Sequence, residues 1–130
     1  MAKMLTNQQV FDNGMRRLAE QGGPAFDSLR TKCEYRGHGG RACVIGASIP
    51  DARYQRWFEG HMASSLATLS DILPIGGSSF LNQFQVMHDD LSQQRLSQDQ
   101  LWIVHAAFTG FAVEYNLDPA TVMLIQEWEY

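Results

Sequence analysis

The sequence predicts an α+β fold, a single mainly helical domain of about five helices packed around one antiparallel β-hairpin. Three observations predict it. Thr31 to Pro50, TKCEYRGHGGRACVIGASIP, is the one stretch that reads as strand, turn and strand. Two capping boxes, Thr6-Asn7-Gln8-Gln9 and Ser97-Gln98-Asp99-Gln100, mark helix starts. Most of the remaining apolar residues recur at helical spacing. With 130 residues, 45% of them apolar, the chain has enough core to fold as one domain, 1–130, without metal or disulfide staples. The hairpin occupies about 31–46 and the helical region about 61–130.

The first helix starts at the Thr6 box, with Leu5 and Val10 placed as its hydrophobic staple, and carries Phe11, Met15 and Leu18 on one face. Gly22-Gly23-Pro24 stops it, and Gly14, a weak helix former, marks a close packing contact. In the hairpin, pairing Cys33 with Cys43 sets Tyr35 against Arg41 and Thr31 against Ile45. Arg36 to Gly40 becomes the loop, and Cys33, Tyr35, Arg41, Cys43 and Ile45 share the inner face. Gly46 interrupts the second strand, and Ile49-Pro50 ends it.

Met62, Leu66, Leu69 and Leu73 lie at helical spacing before Pro74. Ser78 or Ser79 caps the next helix, whose apolar face is Leu81, Phe84, Met87 and Leu91. The Ser97 box opens the fourth, central helix, with Leu101, Val104, Phe108, Phe111 and Tyr115 as its core stripe and Leu96 and Leu101 as its staple. Asn116 suits a left-handed C-terminal position, and Asp118-Pro119 opens a last helix through Trp128 that is apolar nearly all round at Val122 to Ile125.

Charge is divided along the chain. Residues up to Arg56 hold nine basic and five acidic side chains, giving +4; from Trp57 onward one basic residue, Arg95, stands against nine acids, giving −8. Such separation serves recognition of a charged partner, or cancels when the two halves pack together. No apolar run has signal-peptide or membrane-span length, so the expected location is the cytoplasm, where Cys33 and Cys43 stay reduced.

The residues point away from catalysis. Cys33, His38 and Cys43 have C-x4-H-x4-C spacing, with His61 or Asp51 available as a fourth ligand, but paired zinc ligands sit closer in sequence and His38 falls at the loop tip. Two packed thiols on the inner hairpin face are the simpler reading, with no metal and no cofactor. Gly37-His38-Gly39-Gly40 lacks the lysine and hydroxyl of a phosphate-binding loop. His88-Asp89-Asp90 places the histidine on an apolar helix side, and His105 likewise borders the core. No local signature of an activated nucleophile exists. Arg36, His38, Arg41, Arg53, Tyr54, Arg56 and Trp57 interleave basic and aromatic side chains, the composition of binding surfaces. Single-stranded nucleic acid also favours such a mixture, but the acidic half opposes a long polyanion.

Several short motifs carry a resemblance. Leu5-Thr6-Asn7-Gln8-Gln9-Val10-Phe11-Asp12, Gln21-Gly22, Cys33-x-Tyr35-Arg36, Gly40-Arg41-x-Cys43-x-x-Gly46, Ile49-Pro50-Asp51-x-x-Tyr54 and Phe84-Gln85-x-x-His88-Asp89 resemble a group of small proteins encoded by tailed phages and prophages. The likeness covers most of the chain and departs from the group in the longer Ser92 to Ser97 link and an extra helix after Pro119. It brings no catalytic residue. It implies a setting inside an infected bacterium, where small acidic proteins without enzyme motifs bind host machinery or block host defence. The expected function is therefore a non-enzymatic, phage-type accessory protein that binds a host protein, itself basic or nucleic-acid-binding, with a homo-oligomer compatible. The alternatives are a nucleic-acid-associated module using the basic hairpin half and a Cys/His metal protein or enzyme.

Overall fold

In the computed structural model of the chain, Thr6 opens the first helix as its spacing predicts. The structure describes residues 4–24, 26–27, 32–33, 35, 42–59, 61–63, 65–66, 73–74 and 78–128. Helix α1 spans Asn7–Gln21. Thr6 Oγ1 accepts from the Gln9 N–H at 3.1 Å while Gln9 Oε1 accepts from the Thr6 N–H at 2.9 Å, satisfying two donors that a helix start leaves open. Gly22 ends α1 in the left-handed region, φ 74°, its N–H bonded to the Leu18 carbonyl.

Helix α2 spans Ser78–Gln93 and α3 spans Leu101–Glu114. Ser78 and Ser79 are already helical rather than capping positions. The Ser97–Gln100 capping box forms as expected, but it first closes a 3-10 turn, Gln98–Gln100, that runs directly into α3. Beyond α3, Asn116 takes the left-handed conformation, φ 57°. The two helices are antiparallel: Phe80 meets Phe111 and Tyr115, with ring centroids 5.7 Å apart in both pairs, while Phe84 meets Phe108 at 6.1 Å. Phe84 also stacks on Phe11 at 5.4 Å, Phe80 at 5.4 Å and Phe111 at 5.3 Å. This aromatic cluster is the centre of the core. Val104, Phe108 and Phe111 on α3 are buried, with Leu101 and Tyr115 packed against them.

The hairpin over 31–46 and the count of five helices are both overturned. The described residues form a helical protein with three α-helices, and its extended pairing is only two residues long. In that pairing Phe26 faces Cys33 and Asp27 faces Lys32, so Cys33 pairs with the segment before it and not with Cys43. The physical reason lies at Ala42. Its N–H donates to Gln21 Oε1 at 2.9 Å and its carbonyl accepts from Gln21 Nε2 at 2.8 Å, so a side chain of α1 occupies backbone groups that a ladder would use; among the described residues the segment keeps an isolated bridge at Ala42, beside the Cys43 N–H that donates to the Tyr35 carbonyl at 3.3 Å. Ala42 to Gly46 is buried without interruption, where a strand with one inner face would alternate. The chain then tightens into a 3-10 turn, Gly46–Ser48. A Cβ on Gly46 would lie 1.9 Å from the Tyr35 carbonyl oxygen, so only glycine fits this crossing. The Arg36 to Gly40 loop lies outside the described residues.

The expected last helix is also corrected. Asp118 does cap, accepting from the Ala120 N–H at 2.9 Å, yet only a 3-10 segment, Ala120–Leu124, follows. Side chains from elsewhere claim the backbone groups that would extend it. His105 Nε2 meets the Ile125 carbonyl at 2.7 Å, Gln98 Nε2 donates to the Gln126 carbonyl at 2.7 Å, and the Trp128 N–H donates to Gln98 Oε1 at 3.2 Å. Val122 and Ile125 are buried while Met123 and Leu124 are exposed. The helix expected from Met62 to Leu73 shows helical backbone at Ala63, Ser65 and Leu66. Leu66 and Leu73 are buried, Met62 is exposed instead of facing the core, and Leu69 lies outside the described residues.

Two substitutions test this packing. Phe108→Ala empties a fully buried aromatic site and should cost about 3–5 kcal/mol in denaturant unfolding. Gly110→Ala adds a Cβ on α3 that meets nothing within 4 Å, so it should raise stability by up to about 1 kcal/mol. A midpoint unmoved by Phe108→Ala, or lowered by Gly110→Ala, contradicts the placement of α3.

Candidate functional site

Two groups of side chains merit attention as sites: a buried polar cluster around Cys43 and an exposed loop around Trp57. The cluster forms because the turn after Ala42 delivers Cys43 to the side of α2. Cys43 Sγ donates to Gln85 Oε1 at 3.1 Å and accepts from the Gly46 N–H at 3.3 Å. Gln85 and Asp89, four residues apart on α2, share a helix face, and Gln85 Nε2 donates to Asp89 Oδ1 at 2.7 Å. His88 Nδ1 sits 3.1 Å from the same oxygen. The His88 ring is fully buried and its Nε2 has no hydrogen-bond partner among the described residues.

This chemistry is that of a structural network. Burial pushes the Cys43 thiol up to about 12, an effect that the Asp89 and Glu59 charges reinforce against the lowering by the Gly46 and Ile45 amides. Burial, followed by the neighbouring Cys43, Glu59 and Asp89, also raises the Tyr35 phenol well above its ordinary value. A thiol held protonated across the physiological range, bonded to an amide oxygen that cannot take its proton, is not an activated nucleophile. Among the described residues, no three His, Cys, Asp or Glu side chains gather closely enough to hold a metal ion.

The loop after Pro50 brings together part of the predicted contact set. Arg56–Phe58 is a 3-10 turn, with Phe58 buried and Arg56 exposed. Tyr54 meets Phe58 edge-on at 5.9 Å. Trp57 is 54% exposed, yet its ring is held in edge contact with Phe58 at 4.9 Å and His61 at 5.7 Å. Glu59 ties this loop to the core: one carboxylate oxygen accepts from the Tyr35 N–H at 3.0 Å and the other from the Tyr54 hydroxyl. Tyr35 in turn donates its hydroxyl proton to the His61 carbonyl. Arg53 is half-buried beside the same loop. Arg36, His38 and Arg41 lie outside the described residues.

Glu59 and His61 stand outside the predicted contact set: an acid is no part of a basic and aromatic pattern, and His61 lies beyond the Arg53 to Phe58 run and figured in the sequence only as a candidate metal ligand. In the buried cluster, the spacing of Gln85 and Asp89, four residues apart on one helix, is the local signal that could have found it. Comparison with known proteins brings no matching family model, no matching curated protein and no matching solved structure. No helix among the described residues is long and apolar enough to cross a membrane.

The state of Cys43 has a measurable consequence. Its native value lies above the ordinary 9.0, so its contribution to stability is complete below pH 9 and is lost as pH rises from there toward about 12. The loss amounts to on the order of 1 kcal/mol per pH unit. Thermal unfolding between pH 8 and pH 10.5 should therefore fall more steeply for the parent than for Cys43→Ala, and the native thiol should resist alkylation at pH 8 that the unfolded chain accepts. Parallel pH profiles, or rapid native alkylation of Cys43, would show the thiol to be accessible.

Proposed function

We propose that this chain is a non-enzymatic, phage-type accessory protein that acts in the bacterial cytoplasm by binding a host protein, such as a component of host defence. The observation that carries this reading is the Trp57 loop. A tryptophan more than half exposed would ordinarily be mobile, but here the buried Phe58 and the exposed His61 brace its ring and Glu59 fastens the turn to Tyr35. Such a ring offers large apolar contact area with little conformational entropy left to lose on binding. Trp, Tyr and Arg are the residues that most often dominate interface energies, and Tyr54, Arg56 and Trp57 stand together on this loop. The inert Cys43 cluster supports the non-enzymatic half of the reading.

Co-purification from a bacterial host followed by mass spectrometry identifies the partner. The Arg56→Ala/Trp57→Ala variant should then lose about tenfold or more of its affinity for that partner while keeping its circular dichroism spectrum and melting temperature. Undiminished capture by the folded variant rules out this loop as the contact. Submicromolar binding of single-stranded DNA or RNA at physiological salt, lost on reversing Arg36 and Arg41, would replace this reading with the nucleic-acid one.

A further inference from the structure

Between α2 and α3, away from the Trp57 loop, an open groove of about 400 Å³ falls in the size range of ligand pockets. Its construction is uneven in a way that selects an occupant. The floor is aromatic: Phe111 is buried, and its ring tilts against Tyr115 with centroids 4.8 Å apart. Tyr115 is itself fixed by the Phe80 edge at 5.7 Å and by its hydroxyl, 3.3 Å from Ser79 Oγ. Val86, 48% exposed, and the half-buried Met87 supply apolar surface. Asp90 and Glu114 line the groove as exposed carboxylates, and neither side chain has a hydrogen-bond or ion-pair partner among the described residues. Among the described residues, no lysine or arginine lines it.

An anion would meet two carboxylates and no compensating charge. A wholly apolar group would cover the floor but gain nothing from the acids. A cation on an aliphatic stem satisfies every part: the stem lies on Val86 and Met87, the charge lies over an aromatic face, and the carboxylates accept its N–H groups. Arginine fits better than lysine, because its planar guanidinium stacks on a ring while presenting forked donors to a carboxylate. The surrounding half of the chain, from Trp57 onward, carries −8 and would draw such a partner in. We propose that the groove between α2 and α3 is a binding site for an arginine side chain carried on a basic segment of a partner protein.

The test uses the full chain, isotopically labelled, and the capped peptide acetyl-Ala-Arg-Leu-Arg-Ala-amide, followed by NMR at about 50 mM and about 300 mM salt. Expected are saturable shifts of the Met87, Phe111 and Tyr115 side-chain signals, weakened by salt. Replacing both peptide arginines with neutral citrulline should cost about tenfold or more in affinity, as should Asp90→Asn/Glu114→Gln in the protein. Val86→Arg, which places a tethered guanidinium beside the groove, should block the peptide as well. Trp57→Ala should leave the titration unchanged, which separates this site from the Trp57 loop whether or not that loop binds a partner. No saturable shift at low salt, equal binding of the citrulline peptide, equal binding by the doubly neutralised protein, or loss of binding in Trp57→Ala would each overturn the proposal.

Discussion

The Phe84 ring can reach the middle of this protein only because residue 14 has no side chain. A Cβ on Gly14 would lie 2.9 Å from Phe84 Cζ and 3.0 Å from Val44 Cβ, so α1, α2 and the buried turn after Ala42 converge on one point. Phe84 cannot retreat, because it touches Phe11, Phe80, Phe108 and Phe111. Aromatic pairs of this kind add roughly 0.5–1.5 kcal/mol each beyond the area they bury. The same α2 helix then carries Gln85, His88 and Asp89 into the Cys43 cluster and Val86, Met87 and Asp90 to its outer groove. Both features inherit their positions from the contact at Gly14.

Around this centre, glutamine side chains perform a task usually left to regular secondary structure. Gln8 donates to the Asp118 carbonyl at 3.0 Å and accepts from the Asp118 N–H at 2.7 Å; Gln21 does the same for Ala42. Gln98 takes the Gln126 carbonyl and the Trp128 N–H. Buried or constrained backbone groups must find partners somewhere, and a primary amide presents a donor and an acceptor side by side. Three irregular segments are thereby held against helices α1 and α3 without joining a sheet or extending a helix.

That device explains which parts of the fold were legible. The capping boxes at Thr6 and Ser97, the left-handed Gly22 and Asn116, and the Val104, Phe108, Phe111 stripe are local, and each reads directly from spacing. The hairpin and the last helix failed because their segments have local propensity but meet a distant glutamine or histidine that claims their backbone groups first. Gln21 is 21 residues from Ala42, and Gln98 is 28 from Gln126; no pattern in a short window reveals either pairing. The Trp57 loop was half legible. Tyr54, Arg56 and Trp57 stood out by type, whereas the bracing by Glu59 and His61 and the groove between α2 and α3 exist only in three dimensions.

The central claim is that the Gly14 contact with Phe84 sets the helix arrangement, and a double-mutant cycle addresses it directly. Gly14→Ala alone should destabilise by about 1–3 kcal/mol despite alanine's better helix propensity, because the new methyl overpacks a ring that cannot move. In a Phe84→Leu background the ring is gone, and the same substitution should cost at least about 1 kcal/mol less, a coupling typical of residues in direct contact. Strictly additive effects, or a Gly14→Ala protein more stable than the parent, would contradict the account.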